Sequence, residues 1–195
     1  ARNSISDYPL LAATLSGDLT KKDRLYGGVD LIYDRFWKNL KDESSGLFVP
    51  GVYDQVDVSL GYVRQIKKRW DLAFEYRHRF RQYDPPLGVR DRDGDYLTGS
   101  TVYRVVKRVV GETIVDVGNV VTNTEVVDGV LVDRSYLQAF VEQNFTFKLS
   151  KRSNFDFGVQ YRQRSFTTDE QQDLARYDRV DPRWRVATVF GYELT

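Results

Sequence analysis

Strict alternation of apolar and polar residues over two adjacent stretches constrains this chain more than any other feature. In residues 137–149 the odd positions are Leu137, Ala139, Val141, Gln143, Phe145, Phe147 and Leu149. The even positions are Gln138, Phe140, Glu142, Asn144, Thr146 and Lys148. Beyond Ser150-Lys151-Arg152-Ser153 the rhythm resumes, with Phe155, Phe157, Val159 and Tyr161 alternating with Asp156, Gly158, Gln160 and Arg162. A β-strand turns successive side chains to opposite faces, so each stretch has one aromatic-rich apolar face and one polar face. Each is close to or beyond the roughly 9–11 residues with which a tilted strand crosses a bilayer.

The same period runs through Val29, Leu31 and Tyr33, through Val56, Val58, Leu60 and Tyr62, through Trp70, Leu72, Phe74 and Tyr76, and through Trp184, Val186, Thr188, Phe190 and Tyr192. Helical spacing would need apolar residues at i, i+3 and i+4, which these segments do not supply. About nine strands are expected, at residues 8–19, 24–37, 52–66, 69–82, 96–107, 113–127, 130–149, 153–166 and 183–195. Short basic turns sit at Thr20-Lys21-Lys22-Asp23, Lys67-Lys68-Arg69 and Ser150-Lys151-Arg152-Ser153. Long polar loops span about 38–51, 84–95 and 167–182, and they hold Pro50, Pro85, Pro86 and Pro182. Proline cannot donate to a ladder, which supports those boundaries. Asp128-Gly129 between valine-rich runs marks a two-residue hairpin. The strand leaving it, at about 65 Å, would outrun the roughly 30 Å of bilayer hydrocarbon, so the hairpin around 128–129 is expected to protrude on the long-loop side.

Charge and composition narrow the function. The 195 residues carry 29 basic and 28 acidic side chains, a formal net charge of +1. That balance gives no reason to expect nucleic acid as a partner. No apolar run approaches the roughly 18 residues of a membrane helix, a test that a membrane barrel escapes because only alternate residues must be apolar. The 13 Tyr, 11 Phe and 3 Trp could furnish aromatic girdles at two bilayer interfaces. Cysteine is absent, which rules out disulfides and thiolate metal sites within this sequence. Methionine is absent too, and no basic-then-apolar leader opens the sequence, as expected of a processed or excised chain.

Short turns at one end, long loops at the other and alternating strands throughout resemble Gram-negative outer-membrane β-barrel proteins. A second resemblance attaches to Phe74-Glu75-Tyr76-Arg77 followed by Asp91-Arg92-Asp93-Gly94-Asp95-Tyr96, which is similar to barrel domains of secretion and polysaccharide-export systems. The resemblance implies an all-β fold: a single-domain antiparallel up-and-down transmembrane β-barrel of about 8–10 strands, or part of a larger barrel. It implies location in the bacterial outer membrane, contact with membrane lipid, lipopolysaccharide and other envelope proteins, and a structural, export or assembly role. A passive porin-like channel with a mixed-charge lumen is the alternative. Another is a soluble β-barrel binding an apolar ligand, which would need the opposite facing of the strands.

The polar face collects Asp30, Asp34, Asp57, Asp71, Glu75, Arg77, Arg79, Arg81, Asp156, Arg162, Arg164, Arg185 and Glu193, which are expected to line the interior. Both signs occur, so they can pair across a lumen. A ladder of Arg77, Arg79 and Arg81 facing Arg162 and Arg164 would instead favour anions in a water-filled passage. His78 shares the face of Phe74, Tyr76 and Phe80, pointing away from the acids, and no catalytic role is expected of it. Asp91, Asp93 and Asp95 alternate around Gly94 as oxygen ligands of calcium loops do. The distal glutamate of such a loop is missing, so a solvated loop without metal is the expectation. No HExxH, GxSxG or phosphate loop appears, and neither enzyme activity nor a cofactor is expected.

Overall fold

A computed structural model describes residues 11–41, 47–67, 70–84, 91–127, 129–169, 171 and 173–192. The strands are β1 (Leu11–Asp18), β2 (Asp23–Lys41), β3 (Phe48–Lys67), β4 (Trp70–Tyr83), β5 (Arg92–Val106), β6 (Val109–Thr122), β7 (Glu125–Val127), β8 (Val130–Val132), β9 (Tyr136–Lys148), β10 (Ser153–Phe166) and β11 (Val180–Tyr192). Nine form one antiparallel up-and-down sheet in the order β1-β2-β3-β4-β5-β6-β9-β10-β11, and β7 and β8 form a separate two-stranded sheet. The fold is all-β. The sheet is not closed: among the described residues β1 pairs only with β2 and β11 only with β10.

Register assigns every side chain to a face. One row of directly opposed residues reads Asp57, Arg79, Gly94, Val120 and Tyr136; the next reads Ser59, Arg77, Tyr96, Gly118, Gln138 and Arg164. The intervening face carries Val58, His78, Asp95, Asn119 and Leu137. The sheet curls about its polar face, so that Arg79 of β4, Arg162 of β10 and Arg183 of β11 border one cavity. Burial follows the curl and inverts the usual order. Gln55, Asp57 and Val120 inside are 3%, 6% and 0% exposed, whereas Leu60, Leu97 and Val186 outside are 61%, 60% and 64% exposed. Exposed contiguous apolar surface of this extent marks a face made for contact.

Two devices fit this sheet together. Tyr26 lies across Gly61, its directly opposed partner, and donates its hydroxyl to Glu75 on the strand beyond at 2.9 Å. Tyr96 crosses Gly118 in the same way, and a Cβ built there would sit 2.5 Å from its ring. Glycine is required at both positions because the ring occupies the space of a side chain. The second device protects Gln143, the single polar residue between Val141 and Phe145 on the apolar face. Its Nε2 donates to the Glu112 carbonyl at 2.8 Å and to the Tyr103 hydroxyl at 3.1 Å, while Thr113 Oγ1 donates to its Oε1 at 2.7 Å.

Several expected boundaries move. Residues 92–95, read as loop, begin β5, because Arg92 and Asp93 already pair with Arg81 and Phe80. β2 reaches Lys41 and β3 begins at Phe48, so both run into the first expected long loop, and the last expected loop gives way at Val180, where β11 begins. Pro50 and Pro182 consequently lie in strands. Pro50 pairs with Asn39 beside a register shift, and Pro182 is on an edge strand, two settings that tolerate a missing N–H. The β5–β6 turn falls at Lys107-Arg108, ahead of the expected 108–112. The expected strands 113–127 and 130–149 are each interrupted: the Thr122 N–H donates to Ser135 Oγ, and the Arg134 N–H to Thr122 Oγ1, which ends the main ladder and starts a neck. The β7–β8 hairpin stands on that neck, at the end of the sheet where β4 leads into β5. Gly129 has φ 82°, as its turn demands, and Asp128 lies outside the described residues.

The Gln143 network generates a double-mutant expectation. Thr113→Val leaves the Gln143 carbonyl without its donor and should cost about 1–3 kcal/mol in reversible denaturant unfolding. Adding Gln143→Leu removes the orphaned group, and the double variant should recover most of that loss.

Candidate functional site

Inward charges divide along the strands. In the halves nearer the short turns, β4 carries Asp71 and Glu75, β6 Glu112 and Asp116, β9 Glu142 and β10 Asp156. In the halves nearer the long loops, β4 carries Arg77, Arg79 and Arg81, β5 Arg92, β10 Arg162 and Arg164, and β11 Arg183 and Arg185. Lys148 and Arg104 near the turns, and Asp57 and Asp181 near the loops, are exceptions on these strands and β3. β2 does not follow the division, with Arg24 near the turn and Asp30 and Asp34 at inward register positions nearer the loop.

Pairing between the two signs is sparse. Arg79 grips Asp57 through Nε at 2.9 Å and Nη2 at 2.6 Å, and Arg77 holds Glu75 on its own strand at 2.9 Å. Most of the other acids take neutral donors. Asp116 accepts Thr98 Oγ1 at 2.7 Å, and Asp156 accepts Thr146 Oγ1 at 2.7 Å and Asn154 Nδ2 at 2.9 Å. Glu142 accepts Asn144 Nδ2 at 2.7 Å and Gln160 Nε2 at 2.8 Å. Arg92, Arg162, Arg183 and Arg185 have no carboxylate partner among the described residues. Two of the arginines are instead aimed by amides and rings. Arg81 donates Nε to Gln55 Oε1 at 2.8 Å and lies over Tyr53 at 4.1 Å; Arg164 donates Nε to Gln138 Oε1 at 3.2 Å and lies over Tyr136 at 4.6 Å. Cation–π contact and a single acceptor fix a guanidinium plane without neutralising its charge.

Among the residues that the sequence pattern assigns to the polar interior, register places Asp30 opposite Asp57 and Asp34 opposite Tyr53. Asp71, Glu75, Arg77, Arg79 and Arg81 alternate along β4, Asp156, Arg162 and Arg164 lie on β10, and Arg185 lies on β11 opposite Gln160. Glu193 lies outside the described residues. Arg79, Arg81, Arg162 and Arg164 border a common cavity of about 270 Å³. Arg92 joins them there, although the Asp and Gly around it in sequence read as a loop.

His78 corrects the sequence reading. It is on the outward face but not away from acids: Nδ1 lies 3.0 Å from Asp95 and Nε2 3.4 Å from Asp93. Tyr76 also donates to Asp95. This follows from the earlier start of β5, which sets Asp93 and Asp95 on the same face as His78. Asp91 stays outside the strand, where it accepts the Tyr83 N–H at 2.7 Å. Burial raises its carboxyl above the ordinary range, and that hydrogen bond opposes the shift. Among the described residues no group of three or more His, Asp or Glu is placed to hold a metal ion.

Among the described residues Asp57 is the one carboxylate that pairs with an arginine of the cluster, and Gln55 Nε2 also donates to it at 2.9 Å. Asp57→Ala should cost about 1.5–3 kcal/mol in denaturant unfolding. Asp57→Asn, which keeps one acceptor, should cost less.

Comparison with protein-family models, with curated proteins and with solved structures returned no match to this chain.

Proposed function

We propose that this chain forms the wall of an outer-membrane β-barrel in a Gram-negative envelope, with its apolar face toward lipid and its charged face toward an interior. The observation that carries this reading is the inverted burial: carboxylates, amides and arginines inside the curl, leucine, valine and aromatic side chains exposed outside. A soluble ligand-binding barrel would need the reverse.

The outer face supports it in detail. Tyr62, Trp70, Tyr103, Phe147, Phe155 and Tyr192 lie toward the short-turn ends of their strands, and Trp184 lies toward the long-loop end of β11. Aliphatic residues such as Leu60, Leu72, Val115, Val141, Val159 and Val186 lie between, with Phe74, Tyr76, Phe157 and Tyr161 among them, so the aromatic belt expected of a bilayer interface is clearest on the short-turn side. From Leu137 to Phe147 is about 33 Å of strand, or roughly 25 Å of height at the usual tilt, which matches the apolar band of such barrels. The internally satisfied Gln143 amide suits a setting without water.

Its role is structural, or serves export or assembly with other envelope proteins, and the wall contacts membrane lipid and lipopolysaccharide. Porin-like conduction is the rival. Nine strands are far fewer than the roughly 16–18 of general porins, which argues against a wide passive pore from one chain.

Cysteines introduced singly at positions 157 and 162 test the facing. A lipid-soluble thiol reagent should label position 157 and spare 162, and labelling in the opposite sense would overturn the reading. Phe157→Arg should destabilise the bilayer-inserted protein by about 2–4 kcal/mol if the residue sits near mid-bilayer. Planar-bilayer recording of the isolated chain should show negligible current; large, steady currents would favour the channel.

A further inference from the structure

Five arginines, Arg79, Arg81, Arg92, Arg162 and Arg164, line a single cavity of about 270 Å³ whose remaining walls are Gly94, Tyr96, Tyr136 and Gln138. Among the described residues no acid lines it, and of the five only Arg79 is in an ion pair. Like charges are set directly opposite one another at two places: Arg81 faces Arg92, and Arg162 faces Arg183. Like charges opposed across a ladder destabilise it, and here they are neither spread apart nor served by the acids of the turn half. The arrangement is also prepared. Gln55 and Tyr53 hold Arg81, Gln138 and Tyr136 hold Arg164, and Gln55 is itself anchored on Asp57.

We propose that this cluster is a binding site for a phosphate group, carried by a small soluble phosphate ester or present as free phosphate. The chemistry follows from the donors. A planar guanidinium presents a fork of N–H groups that matches two oxygens of a phosphate, and several forks around one cavity can serve a tetrahedral dianion from different sides. Arg81, Arg92, Arg162 and Arg164, which have no carboxylate partner among the described residues, supply the uncompensated charge, and Arg92 and Arg162 have no amide or ring holding them either. A second cavity of about 510 Å³ shares Arg79, Tyr96, Gln138 and Arg162 with the first and adds Ile114 and Phe140 beside Asp116, Arg183 and Arg185. It gives the organic part of an ester an amphipathic place beside the anion. Lipid phosphates would have to come from the opposite face of the sheet, so the soluble source is favoured.

The phosphate site itself does not rest on bilayer insertion; only the choice of a soluble source rests on that reading. Its test reads the concave face, whereas the thiol-labelling experiment reads the convex one, so each can fail alone.

The test is thermal unfolding and calorimetric titration of the full chain with inorganic phosphate and with phenyl phosphate, against sodium chloride at matched ionic strength. Phosphate should bind saturably and raise the unfolding midpoint beyond the chloride control, and phenyl phosphate should bind at least as tightly. Arg92→Gln and Arg162→Gln should each weaken binding roughly tenfold or more. Arg104→Gln, near the turn end of the same face, should leave it unchanged. Without phosphate, Arg92→Gln should be no less stable than the parent, because it relieves the contact with Arg81. That keeps loss of binding distinct from misfolding. Equal stabilisation by chloride, or undiminished binding by both cluster variants, would overturn the site. Protection given by bilayer discs containing phosphatidic acid, but not by soluble phosphate, would overturn the soluble source.

Discussion

An antiparallel ladder leaves no freedom about which side chains share a face, and in this sheet that rule sets burial, charge and curvature together. A slip of one residue in any pairing would send a charged row outward and an apolar row inward. Register here is defended from both faces. Inside, Tyr26 fits over Gly61 and Tyr96 over Gly118, positions where only glycine leaves room for a ring. Outside, the Gln143 amide finds its three cross-strand partners only when β9 lies opposite β6 in the observed alignment. The same tyrosines bring bulk to the concave side without bringing charge, so the interior is filled while its arginines remain separate groups.

Inside the curl, hydrogen bonding and neutralisation are divided between different residues. Thr, Asn and Gln satisfy the lone pairs of Asp116, Asp156 and Glu142 without drawing in the arginines, whereas Glu75 accepts from Tyr26 and also pairs with Arg77. The basic half keeps a net charge as a result. A field polarised along the strands follows, acidic toward the short turns and basic toward the long loops, and charge lining a concave surface concentrates counter-ions there. The proposed phosphate site is the most confined part of that field.

Alternation made β9 and β10 legible because both of their faces obey the period, and β10 begins and ends where its pattern does. It also placed the arginines of β4 and β10 on one face. Composition misled at the start of β5: Asp93-Gly94-Asp95 has the residues of a turn, yet Gly94 is in a strand because Tyr96 needs the space above it. From that error followed the misreading of His78, whose acidic neighbours come from the segment taken for loop. The hairpin neck was hidden for another reason. Thr122 and Ser135 end the ladder through side-chain hydrogen bonds to backbone, and period-two patterning carries no mark of them. Curvature is equally silent in the sequence, so the convergence of Arg92 with Arg162 and Arg164 emerges only when the sheet is seen to curl.

Strand parity imposes a last constraint. In an up-and-down sheet of nine, the first and last strands run the same way, here from the long-loop end toward the short turns. Bringing β1 against β11 would make a parallel pair within an otherwise antiparallel wall, and one further strand between them would restore antiparallel pairing on both sides. The two edges are not alike. β11 carries Pro182, Arg183 and Arg185, features that blunt an edge, whereas Leu11-Ala12-Ala13-Thr14-Leu15 of β1 has neither charge nor proline. Unpaired backbone groups cost several kcal/mol each in hydrocarbon, so the proposed bilayer form requires both edges to be paired or shielded. The unblunted edge of β1 is the one better prepared to receive a strand.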